Sequence, residues 1–170
     1  GAGGGVVTSN RAQFLSGIAA IKAVLEGSEG GGLDGLDWDI ETGSSFPTAD
    51  AVFISQQLKS LYGAGFAITM APNGTNVGAY LPAAVQLHQA NALDHYGQQF
   101  YDANVSLAAA KGRIAEALAA GLPASKIGVG MALTSPAANG FWSQATCIAN
   151  MTDIRNTYGI TKCYLWVEDG

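Results

Sequence analysis

Asp37, Asp39 and Glu41 stand at every second position of an apolar-rich stretch, Leu33-Asp34-Gly35-Leu36-Asp37-Trp38-Asp39-Ile40-Glu41. Side chains alternate sides along a strand, so a strand here projects all three carboxylates to one face, with Asp34 out of phase before the run. Acids crowded on one face repel one another and resist desolvation, so a purely structural strand seldom keeps them. Two plainer readings stand beside chemistry. One is a solvated edge strand, although Leu33, Leu36, Trp38 and Ile40 flank the acids as they would in a buried strand. The other is a hard-cation site built of carboxylates. Acid–base chemistry fits best, because crowded carboxylates drive their pKa values apart and leave one protonated near neutral pH.

The elements around this stretch alternate. Ser9 or Asn10 caps a helix whose Phe14, Ile18, Ile21 and Leu25 fall on one face, and a glycine-rich turn from Gly27 to Gly32 delivers the chain into the acidic strand. Pro47 and Thr48 open a second helix with Ala51, Ile54, Leu58 and Leu61 as its buried stripe, stopped by Gly63 to Gly65. A strand over Phe66–Pro72 follows, then a short helix starting near Pro82, and a strand over Leu93–Tyr101. Leu107, Ala110, Ile114 and Leu118 mark a helix closed by Gly121 and Pro123. Beyond it come a strand from Lys126 to Leu133, a helix over about 141 to 158, and a last strand from Ile160 to Val167. Such an alternation with short connections predicts parallel crossovers, and so an α/β fold of (β/α)8 barrel type represented by five of its strands. In such barrels the catalytic groups sit at the C-terminal ends of strands, where Glu41, Met70, Tyr101 and Trp166 fall.

Composition narrows the possibilities. At 170 residues the chain suits one domain spanning 1–170 with a sizeable core. Its net charge of −5 argues against a nucleic-acid or anionic-membrane partner, since both select a basic patch. There is no apolar run long enough to span a bilayer. Cys147 and Cys163 permit one disulfide without demanding it. They have no metal-ligand spacing and lie far in sequence from His88 and His95, so zinc is not expected. The opening Gly1-Ala2-Gly3-Gly4-Gly5 lacks the Lys and Ser/Thr of a phosphate loop and reads as a turn leaving a strand. Three Asn-X-Ser/Thr triplets, at Asn73, Asn104 and Asn150, carry no assigned role.

Asp34-Gly35-Leu36-Asp37-Trp38-Asp39-Ile40-Glu41 resembles the DxxDxDxE signature of family 18 glycoside hydrolases, the chitinases and endo-β-N-acetylglucosaminidases. Trp38 departs from the aliphatic, Phe or Tyr residue more usual in its slot, which faces away from the acids and so concerns packing. The resemblance continues in order. Met70-Ala71-Pro72 looks like the end of the fifth barrel strand, Gln99-Phe100-Tyr101-Asp102 like the sixth, and Tyr164-Leu165-Trp166 like the eighth. Gly3-Gly4 would then end the third. A full barrel takes about 250 residues, so the sequence is expected to be either an excerpt of a longer enzyme or a shortened barrel. If it folds as it stands, its outermost strands invite self-association.

The resemblance implies substrate-assisted, retaining cleavage with no cofactor and no metal. In that scheme Glu41 is the acid and then the base, Asp39 orients the acetamido group, Asp37 shares a proton with Asp39, and Tyr101 donates to the acetamido oxygen. Gln99, Asp102, Met70 and Trp166 are the implied substrate contacts. Tyr101 and Trp166 have barrel packing as their plain alternative, Asp102 a loop or capping role, and His95 a satisfied core histidine. The implied partner is chitin or an N-acetylglucosamine oligosaccharide. An endo-β-N-acetylglucosaminidase of N-glycan cores and a non-catalytic chitin-binding lectin are the alternatives, and the presence of Glu41 favours an enzyme. The insoluble substrate implies secretion.

Overall fold

A computed structural model describes residues 10–26, 32–40, 46–74, 77–101, 105–132 and 143–166, the last without its side chain. Helices and strands alternate through them: α1 (Arg11–Glu26), β1 (Gly35–Trp38), α2 (Thr48–Tyr62), β2 (Ala67–Met70), α3 (Val77–Gln89), β3 (His95–Gln99), α4 (Leu107–Ala119), β4 (Ile127–Ala132), α5 (Gln144–Tyr158) and β5 (Lys162–Trp166). The strands are parallel and pair in chain order, β1-β2-β3-β4-β5. Crossovers of one hand that always step the same way leave their helices on one side of the sheet. This is the winding of a barrel. A doubly wound sheet would reverse its strand order at a switch point. Among the described residues β1 and β5 each pair on one side only.

The helix-facing side of the sheet is the core. Ile68, Met70, Tyr96, Ile127 and Val129 are almost wholly buried there with Ile54 and Leu58 of α2, Leu87 of α3 and Ile114 of α4. Each such side chain contributes about 1.5–3 kcal/mol relative to exposure. For β1 the packing is aromatic. Trp38 stacks on Phe14 at 5.7 Å and meets Phe46 edge-on at 6.0 Å, while its indole N–H donates to Ser55 Oγ at 2.9 Å. Tyr80 anchors the chain just beyond the strand, hydrogen-bonding both the N–H and the carbonyl of Ile40. With Trp38 held on the helix side, strand alternation turns Asp37 and Asp39 to the opposite face.

Several local expectations shift. The core-facing stripe of α1 runs through the partly buried Phe14, Leu15 and Ile18, and Ile21 is exposed. On α2 the fourth buried position is Ser55, which serves Trp38, while Leu61 is exposed. Helix α3 begins at Val77, five residues before Pro82, and encloses the proline. Pro82 supplies no N–H to the Gly78 carbonyl, so one intrahelical bond is missing there. Other boundaries follow ordinary caps. Asn10, Ser106 and Ser143 side chains accept from the backbone N–H three residues on, and Gly159 closes α5 in the left-handed conformation.

Candidate active site

The face of the sheet away from the helices carries the polar groups. Register sets Asp37 opposite Thr69, and Thr69 opposite His95, so three neighbouring strands present these side chains in a row. The Thr69 hydroxyl donates to Asp37 Oδ1, which fixes that carboxylate against β2. Asp37, Thr69, Met70, Ala71, His95, Gly97 and Tyr164 line a cavity of about 270 Å³.

Glycines make room for the two rings of this face. A Cβ on Gly128 would lie 2.1 Å from the His95 ring, and one on Gly130 would lie 2.4 Å from Tyr164 Cζ. The Tyr164 hydroxyl donates to the Gly97 carbonyl at 2.8 Å, laying the ring along β3 and β4. Burial, and then the charges of Tyr101, Asp37 and Asp39, push this hydroxyl far above the ordinary phenol range. Tyr164 is therefore a neutral floor beneath the carboxylates. Burial also pulls the His95 imidazole below its usual value, aided by Lys162 and opposed by Asp37. His95 is a half-buried neutral base at neutral pH, within the electrostatic reach of Asp37.

Asp39 follows the last residue of β1 and is exposed on this face. Gln99 Nε2 donates to Asp39 Oδ1 at 3.1 Å and to the Ala71 carbonyl at 2.8 Å. The backbone there is equally tied: Ala71 N–H bonds Trp38 O, and Gln99 N–H bonds Pro72 O, each at 2.9 Å. The C-terminal ends of β1, β2 and β3 thus form one hydrogen-bonded unit around Asp39.

The residues singled out in sequence fall as follows. Asp37, Asp39, Gln99 and Tyr101 gather around the C-terminal ends of the strands, with Tyr101 packed against Ala132 and Tyr164. Met70 lines the cavity, as a wall would, and is at the same time a core residue. It pairs with Trp38, is 1% exposed, and packs on the helix side, because its place in β2 alternates with that of Thr69. Glu41 and Asp102 lie outside the described residues. Trp166 ends β5 opposite Ala132, and its side chain lies outside the described residues. Three contributors were missed. Thr69 stands one residue from Met70 and so on the acidic face, Tyr164 shares the parity of Trp166, and Gly128-Val129-Gly130 is the sequence trace of a face that must admit rings.

Comparison with protein-family models and with curated proteins finds no match. Among solved structures the chain is similar to a fungal endo-β-N-acetylglucosaminidase of glycosyl hydrolase family 18, with TM-score 0.75 and 21% identity, covering 98% of this chain and 61% of that one. It is also similar to the family 18 chitinase of Crocus vernus, with TM-score 0.65 and 18% identity over 96% of this chain and 62% of that one. The chain has the fold of a family 18 glycoside hydrolase. It spans less than two thirds of the length of either neighbour, and so represents part of the (β/α)8 barrel. On the family 18 fold, Asp37 and Asp39 occupy the end of a strand where such barrels hold their catalytic groups.

Proposed function

We propose that this chain carries the catalytic carboxylates of a retaining glycoside hydrolase that cleaves β-1,4-linked N-acetylglucosamine, and that it acts as a chitinase. The observation behind the reading is the shared face of Asp37 and Asp39 at the C-terminal end of β1, on a family 18 fold, two residues before Glu41. Most glycosidases pair an acid with a carboxylate nucleophile or base, but substrate-assisted enzymes let the substrate's own acetamido oxygen attack the anomeric carbon. Glu41 then protonates the leaving oxygen and afterwards takes the proton of the incoming water. Asp39 accepts from the acetamido N–H and steadies the positive charge that develops as the ring closes. Asp37, held by Thr69, sits deeper in the strand on the same face as Asp39. Tyr101 donates to the attacking oxygen.

The higher TM-score of the endo-β-N-acetylglucosaminidase favours a second reading within the same chemistry, cleavage of the chitobiose core of N-glycans. An extracellular location is proposed from the insolubility of the chitin substrate. The test is mass-spectrometric product analysis on N-acetylglucosamine hexamer and, in parallel, on a high-mannose glycopeptide, with Glu41→Gln as control. Hexamer cleavage abolished in the variant supports the chitinase, and cleavage of the glycopeptide alone supports the second reading. Binding of either substrate without turnover by the wild type would leave a lectin and sink both.

A further inference from the structure

Gln99 is 2% exposed, and its amide nitrogen points at two acceptors at the ends of two other strands, Asp39 Oδ1 just past β1 and Ala71 O just past β2. Both amide hydrogens are thereby used. Turning the amide over would set its oxygen against those same two acceptors, so the orientation is fixed by chemistry rather than by shape. The remaining atom, Oε1, is buried and has no hydrogen-bond partner among the described residues. A side chain in this state has no donor to offer a sugar.

We infer that Gln99 is a positioning residue, which clamps the Asp39 carboxylate to the ends of β2 and β3 rather than gripping substrate. An aspartate side chain has several staggered rotamers about its Cα–Cβ bond. The clamp selects one of them. It is itself rigid, because Gln99 N–H is bonded to Pro72 O, Phe100 N–H to Gly130 O, and Ala71 N–H to Trp38 O, each at 2.9 Å. Asp39 is therefore presented to the cleft already oriented, and the free energy of orienting it is not drawn from substrate binding. The role in catalysis rests on the function proposed above; the geometry of the clamp does not.

Three measurements on the intact protein test this. Steady-state kinetics of Gln99→Met on N-acetylglucosamine hexamer should show kcat lowered by about 10- to 100-fold, the scale of a misplaced catalytic group, with KM within about twofold of wild type. Gln99→Glu keeps the volume but offers acceptors to two acceptors, and should fall at least as far. A raised KM with kcat preserved would make Gln99 a sugar contact and overturn the inference, as would wild-type kinetics in both variants. Crystal structures supply a readout that needs no activity: in Gln99→Met the Asp39 carboxylate should leave its wild-type rotamer or occupy two. An unmoved Asp39 refutes the clamp. Should neither variant fold, the Glu41→Gln protein soaked with hexamer still decides the matter, because Gln99 Nε2 must remain on Asp39 and off the sugar. If wild type fails to cleave hexamer, the proposed substrate falls, and the Asp39 rotamer alone judges the clamp.

Discussion

Gly35 lies in β1 directly opposite Ala67 of β2, and there is no space at that position for a side chain. A Cβ there would stand 2.5 Å from the Ala67 carbonyl oxygen and 2.8 Å from the Ala67 Cβ, whereas ordinary contact begins near 3.4 Å. The obstacle is backbone, so no rotamer change relieves it. Gly35→Ala must push β1 away from β2 by about 0.9 Å at that point. Overpacking of this kind costs about 1–3 kcal/mol, and the reduced freedom of the unfolded chain returns about 0.5–1 kcal/mol. The net loss is about 0.5–2 kcal/mol, a fall in Tm of about 1–8 °C for a chain of this size. Gly112, within α4, has nothing within 4 Å of its would-be Cβ. Gly112→Ala should therefore raise Tm by about 1–4 °C through helix propensity alone. Thermal unfolding followed by circular dichroism compares the two directly. A Gly35→Ala protein that melts at or above wild type would show that β1 is not packed against β2 as described, and the placement of Asp37 and Asp39 would fall with it.

Ser55→Ala leaves the buried Trp38 N–H without its acceptor and should cost about 1–3 kcal/mol in urea unfolding; a loss under about 0.3 kcal/mol would mean that another acceptor takes over. His95 should make stability depend on pH. Burial and Lys162 hold its folded value below the ordinary one of 6.5, so its contribution is complete above about pH 6.5. It declines as pH falls, because the unfolded chain accepts a proton that the folded chain refuses. His95→Gln should flatten the wild-type loss of stability between about pH 7 and 5, measured as urea midpoints, and equal slopes in the two proteins would contradict it.

The acidic repeat was legible because strand periodicity is a local property: Asp37 and Asp39 must share a face wherever that segment is extended, and Trp38 must take the other. The alternation of helix and strand was legible for the same reason, since caps such as Asn10 and Ser106 and stops such as Gly63 act within one turn of their own position. What lay beyond the sequence were relations between segments far apart in it. Met70 and Thr69 are adjacent, and only the register of β2 against β1 decided that Thr69, not Met70, meets the acids. Ser55 is buried on α2, where it accepts from an indole N–H on β1, whereas Leu61 is exposed. Gln99 reads in sequence as an implied sugar contact two residues before Tyr101. Its grip on Asp39, sixty positions away, exists only where β1, β2 and β3 end together. Local chemistry chose the elements and the face of the carboxylates, and non-local packing and hydrogen bonding chose which neighbours hold them.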